Sequence, residues 1–164
     1  MEPKILGIYS TLSSGEEMIS REEGELVVER GIVGDRYSVE LGTFSKNVDE
    51  TRDYEVTLIE SEEIDRFNAE HGFSIDYGAF RRNIVTQGVR LNQLVGREFR
   101  LGDVKLYAVG LCEPCAYLAK VLVPEVLPAM VGRGGLRARI VEGGKIRVGD
   151  MIETDLQSNE NVGR

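Results

Sequence analysis

Tryptophan is absent from this chain of 164 residues, histidine occurs once, cysteine twice and proline four times. Each scarcity removes a class of explanation. Two cysteines and His71 cannot supply the four Cys or His ligands of a structural zinc site from one chain. Cysteines so few and so close allow one local bridge at most, so the fold must rest on a buried core, which this length permits. The longest apolar run, residues 121–131, is broken by Pro124, Glu125 and Pro128, so no span of the chain is expected to cross a membrane. Met1-Glu2-Pro3-Lys4 leads into a short strand-like run without the apolar region of a secretion signal, which makes a reducing, cytoplasmic setting the expectation. Twenty Lys and Arg against 28 Asp and Glu give a net charge of −8, which speaks against nucleic acid as a partner.

The charge is unevenly laid out. Residues 49–76 carry ten acids against Arg52 and Arg66, whereas residues 81–105 carry six basic residues against Glu98 and Asp103. Residues 133–147 add five basic residues against Glu142. Both cysteines lie between the two basic segments. Solvated strand faces account for most such patterns, and an anion site near the thiols is the functional alternative.

The cysteines stand in a C-x-x-C arrangement, Cys112-Glu113-Pro114-Cys115. A strand-like alternation precedes them at 105–109, and residues 116–122 are good helix formers. Pro114 fits a first helical turn, where its missing N–H leaves nothing unsatisfied. Cys115 would then also fall in the first turn, where free N–H groups favour a thiolate able to act as nucleophile or soft-metal ligand. Two other readings stand beside this one. The pair is structural, or it is a thioredoxin-like redox pair, for which Pro before the second Cys argues and the strand-and-turn context without Trp argues against.

The remaining chain reads as strands and turns, in one domain over 1–155 with a frayed tail at 156–164. Strands are expected at 4–9, 25–29, 54–60 and 80–86, a turn at 31–37 and a loop at 41–47. Ser61 is placed as the N-cap of a helix that Gly72 ends, with His71 capping its last turn. Residues 91–96 read as a connection, and residues 124–131 as a short helical turn. Residues 132–135 read as a flexible link without the ending of a phosphate-binding loop. Phe99-Arg100-Leu101-Gly102-Asp103-Val104 resembles Ile146-Arg147-Val148-Gly149-Asp150-Met151, each a strand, a Gly-Asp turn and a further strand. Residues 136–142 and 145–148, joined by Gly143-Gly144, form the strongest hairpin signal.

Taken together, Gly34-Asp35-Arg36, Arg81-Arg82-Asn83-Ile84 with Gly88, Leu94-Val95-Gly96 with Leu101-Gly102, Pro114-Cys115, Gly135-Leu136-Arg137-Ala138 and Val148-Gly149-Asp150 resemble the MOSC domains. These are found at the C-terminus of molybdenum cofactor sulfurases and as small stand-alone bacterial proteins. Tyr37 stands where the family's first motif often ends in His. The resemblance implies a mainly β fold, a distorted barrel with a few short helices. It implies that Cys115 carries a persulfide or ligates the molybdenum of the cofactor. Arg81, Arg82 and Asn83, with Arg36 and Arg133, would hold an anionic pterin through charge-assisted hydrogen bonds. Two functions follow as expectations. One is a molybdenum cofactor-binding sulfur carrier or small oxotransferase or sulfurtransferase component, served by a sulfur donor protein or by an electron-transfer partner, since no flavin or iron–sulfur motif is present. The other is a cofactor-free thiol/disulfide module or binding domain without chemistry. No motif calls for pyridoxal phosphate.

Overall fold

The computed structural model describes residues 2–13, 15–35 and 55–156. Arg36, Tyr37, the loop expected at 41–47 and the tail from 157 lie outside them. Among the described residues the chain is mainly β. Eight strands form one sheet: β1 (Lys4–Ser10), β2 (Ile19–Arg21), β5 (Val56–Glu60), β6 (Ile84–Gln87), β7 (Glu98–Leu101), β8 (Val104–Leu111), β9 (Leu136–Glu142) and β11 (Ile152–Thr154). Their order is β11-β7-β8-β9-β5-β6-β1-β2. A second sheet has the order β10-β3-β4, from β3 (Glu23–Val27), β4 (Gly31–Ile32) and β10 (Gly144–Arg147). The helices are α1 (Ser61–His71), α2 (Ala116–Val121) and α3 (Val126–Ala129).

All pairs are antiparallel except β5 with β6, which α1 connects as a parallel crossover. Among the described residues strand pairing leaves the sheets open, so the expected barrel is not closed there by a continuous ladder. The large sheet curls until Pro3 and Ile5 meet the segment leading into β11. Ile5 N donates to Asp150 O (2.9 Å), Gly149 N to Ile5 O (2.8 Å) and Ile152 N to Pro3 O (2.9 Å).

β5 explains how the layers are arranged. Its side chains alternate, and both faces are buried. Val56 and Leu58 join Ile8, Ile84, Leu106 and Ile140 in the core inside the curl, as the strand reading at 54–60 predicts for that face. Ile59 faces the other way, onto Ile64 and Phe67 of α1, Leu118 of α2 and Met130 beside α3. The helices thus close the outer face of the central strands. Gly72 ends α1 in the left-handed conformation, as expected. His71 stacks on Phe67 at 4.6 Å with Nδ1 3.1 Å from Phe67 O, at the helix end as expected.

Four expectations need correction. Glu60 and not Ser61 occupies the cap of α1, because β5 runs into the helix without a loop; the Glu60 carboxylate reaches instead to Leu91 N (3.2 Å). The turn expected at 31–37 begins with a strand, Gly31 and Ile32 pairing with Val27 and Leu26. The strand expected from Phe80 starts at Ile84, after a 3₁₀ turn (Tyr77–Phe80) and a left-handed Arg81. The hairpin at 136–148 does not form. Both edges of β9 are taken, by β8 and β5, so β10 crosses to the other sheet and pairs with β3. Gly143 allows the crossing, since a Cβ there would lie 2.5 Å from Leu26 O.

Candidate functional site: the Cys115 turn

At the end of β8 the chain leaves the sheet through residues 112–115 before α2 begins. Cys115 takes extended backbone angles (φ −127°, ψ 169°) and occupies the cap position, its carbonyl accepting from Ala119 N (3.1 Å). Pro114 therefore precedes the cap and is not in the first turn, one residue earlier than expected. The thiol of Cys115 is exposed and that of Cys112 is buried, and neither is in a disulfide. The two cysteines of the motif therefore face different environments.

The turn is held from below by side chains. Arg82 is 8 % exposed, and its guanidinium donates to Gly134 O from Nε (2.9 Å) and to Cys112 O from Nη2 (3.1 Å). Longer contacts run from Nη2 to Glu113 O and from Nη1 to Phe80 O, both 3.4 Å. Arg137 donates from Nε to Leu111 O (3.2 Å), lying across the bare backbone of Gly110. The Glu113 carboxylate accepts from Gly132 N (2.9 Å), and Cys112 N donates to Gly135 O (2.7 Å). Residues 132–135, read from sequence as a flexible link, are thus laced to the cysteine turn. Only glycine fits at 134 and 135. A Cβ on Gly134 would sit 2.4 Å from Cys112 O, and one on Gly135, whose φ is +107°, would sit 1.8 Å from Leu58 O.

The other expected site residues separate into two groups. Asn83 is fully buried, its Oδ1 accepting from Thr57 N (3.1 Å) and its Nδ2 donating to Tyr9 O (3.1 Å), so both ends of its amide face inward and tie β1, β5 and β6 together. Arg81 takes φ +64°, which turns it away from its buried neighbours. Its guanidinium donates to Glu16 O (2.6 Å) and lies 5.9 Å over the ring of Tyr117, two residues beyond Cys115. Arg81 is therefore brought against α2, the helix that Cys115 caps. Arg133 stands on the loop bound to the cysteine turn, with Nε 3.9 Å from Glu63 Oε2. Asp35, part of the Gly34-Asp35 motif, is buried and accepts from Thr11 N (3.1 Å), fixing the chain beyond β1.

Glu113 and Tyr117 are the participants that the sequence reading passed over. For Glu113 the signal was its place inside the motif; for Tyr117 there was none. Among the described residues no group of three His, Cys, Asp or Glu side chains could hold a metal ion. Likewise, no helix among them is long and apolar enough to cross a membrane.

No curated protein matches the chain. The fold is similar to that of the YuaD protein of Bacillus subtilis, with a TM-score of 0.78 at 18 % identity over 93 % of this chain and 95 % of that one. It is also similar to YiiM of Geobacillus stearothermophilus (TM-score 0.68, 16 % identity, 92 % and 74 % covered) and YiiM of Escherichia coli (0.66, 20 %, 93 % and 69 %). Cys115, Arg81, Arg82, Asn83, Arg133 and the glycines of the clamped loop all fall within residues 32–153, which match the model of the MOSC domain. By that match, which spans most of its length, the chain belongs to the MOSC domain family.

Proposed function

We propose that this protein handles the molybdenum cofactor through Cys115, as a sulfur carrier bearing a persulfide on that thiol or as a small oxotransferase or sulfurtransferase component. The observation that carries the reading is the exposed Cys115 thiol on a turn whose carbonyls are fixed from below. A lone thiolate is a soft ligand, and it fits a metal that arrives with its remaining ligands already in place on an organic cofactor. When bound, such a cofactor supplies two-electron oxygen- or sulfur-transfer chemistry. Cys115 would ligate it, and Arg81 would face its anionic groups across the ring of Tyr117. Arg133 and Arg36 are the further candidates for anion contacts. Arg82 and Asn83 support the surface from within. Oxotransfer would draw its electrons from a partner protein.

Persulfide formation requires less. The Cys115 sulfur attacks a sulfane sulfur; one S–S bond forms at Cys115, one breaks in the donor, and the donor leaves as a thiolate with no external oxidant. A donor protein in a reducing cytosol meets that need. The rival reading, a cofactor-free thiol/disulfide module, requires Cys112 to reach Cys115 from its buried position.

The test is elemental analysis, together with mass spectrometry of the alkylated Cys115 peptide, on protein purified from a host that makes the cofactor. Molybdenum, or one additional sulfur on Cys115, should be present in the wild type and in Cys112→Ser and absent from Cys115→Ser. Absence of both from the wild type, or their loss in Cys112→Ser, would overturn the reading.

A further inference from the structure

We infer that Arg82 is a positioning residue for the Cys115 thiol, locking the turn at 112–115 onto the loop at 132–135 instead of contacting a ligand. The inference rests on the reading above that Cys115 is the working thiol. Arg82 lies in the basic segment that sequence alone assigns to anion binding, next to Arg81. The left-handed Arg81 between Phe80 and Arg82 sends the two neighbouring guanidinium groups to different places, one to the surface beside Tyr117 and one inward.

Every nitrogen of the Arg82 guanidinium has a donor role already. Nε serves Gly134, Nη2 serves Cys112 and Glu113, and Nη1 serves Phe80. Among the described residues these partners are backbone carbonyls and no carboxylate. Carbonyls at such a junction have no strand or helix partner, and each one buried without a donor is costly. A planar fork spreads five donors over three nitrogens and can reach carbonyls on both loops at once, whereas the three donors of a lysine ammonium radiate from one atom. Arg137 repeats the device one residue earlier, on Leu111 O, so the carbonyls of Leu111, Cys112 and Glu113 are all held by arginine. The opposing loop is fixed at the same time, because Gly132 N donates to Glu113 and Asn92 Nδ2 donates to Gly132 O (2.7 Å). Cys115 therefore leaves a turn with little freedom of its own.

Arg82→Lys keeps the charge and removes the fork. Native-state amide exchange should then quicken about tenfold at Cys112 and Gly132, the loss of one charge-assisted hydrogen bond, with the amides of β1 and β7 unchanged. Persulfide formation on Cys115 from inorganic polysulfide should fall by a similar factor per folded molecule although the charge is kept. Glu113→Ala, an exposed change that leaves the sheet intact, should loosen Gly132 in the same local pattern, and it carries the test if Arg82→Lys does not fold. Exchange quickened evenly over the whole fold would overturn the inference, as would unchanged local exchange with wild-type persulfide formation. If wild-type Cys115 takes no sulfur from polysulfide, the persulfide branch of the proposed function fails on its own, whatever the exchange pattern of the variants.

Discussion

Two junctions in this molecule use glycine to bring loops together, and they are locked in opposite ways. At the cysteine turn a buried cation gathers carbonyl oxygens, and the backbones of residues 112 and 134 and of 58 and 135 pass at distances that no Cβ survives. At the other, Gly102 and Gly149 mark the matching Gly-Asp turns, which meet through Gly102 N and Met151 O (2.9 Å). There a carboxylate braces one of the two turns. Asp150 accepts from Arg147 N (2.8 Å) and lies beside Gly102, and the groups that would meet a new Cβ are side-chain atoms at Gly102 and none within 4 Å at Gly149. The first junction is bound by contact, the second mainly by backbone angle. Resistance to substitution should follow that distinction.

The sharpest separation is expected from Gly135→Ala. Its Cβ would overlap a strand carbonyl that cannot move away, so a loss on the order of 4 kcal/mol or more, or no folded protein, should be seen in urea titration. A loss near 1 kcal/mol would erase the contrast between the junctions.

The next effect comes from pH and touches only the first junction. Burial, opposed by the Leu91 N–H and reinforced by Glu63 and Glu62, pushes the Glu60 carboxyl from 4.5 up to about 7. It holds the loop whose Asn92 reaches Gly132. The folded protein binds this proton more tightly than the unfolded chain does, so the stability it contributes is complete below pH 4.5 and is lost as pH rises through 7. Glu60→Gln should flatten that decline, a difference on the order of 2 kcal/mol between pH 4.5 and 8. Identical pH profiles for variant and wild type would remove Glu60 from the account.

Smaller losses are expected at the second junction. Gly102→Ala and Gly149→Ala, at φ +55° and +97°, should each cost about 1–2 kcal/mol in strain and leave ligand content per folded molecule as it was. Ligand lost at wild-type stability would move this junction into the site. Last, Arg81→Gln should shift the melting midpoint hardly at all, within about 0.5 kcal/mol, while lowering molybdenum content. Arg82→Gln should not share that neutrality, because it strips carbonyls of their donor.

The same contrast shows what could be read in the sequence. Local patterns were legible: the alternation in β5, the end of α1 at Gly72, the single turn of α3 and the Gly-Asp devices all depend on neighbours a few residues apart. The hairpin at 136–148 was illegible because the edges of β9 are claimed by β5 and β8, and nothing in residues 136–148 records that. For the same reason, Arg82 and Asn83 resembled surface ligands in sequence, whereas their burial follows from how β6 and the distant loop at 132–135 pack. Cys115 stood out in the sequence because its chemistry is scarce in the chain, whereas the contacts of Arg82 with the carbonyls of Cys112 and Gly134 lie 30 and 52 residues away and leave no local pattern.

The hydrogen bonds between residues 3–5 and 149–152 also bear on kinetics. Strand β1 can pair with β6 once residue 87 has been made, but its first residues find their remaining partners only after residues 149–152 have been made. Contacts this distant along the chain close late and slowly, so the start of β1 should keep one unpaired edge until residues 149–152 have been made. Lys4, at the head of that edge, is the kind of charged residue that discourages a nascent strand from pairing with the wrong neighbour while it waits.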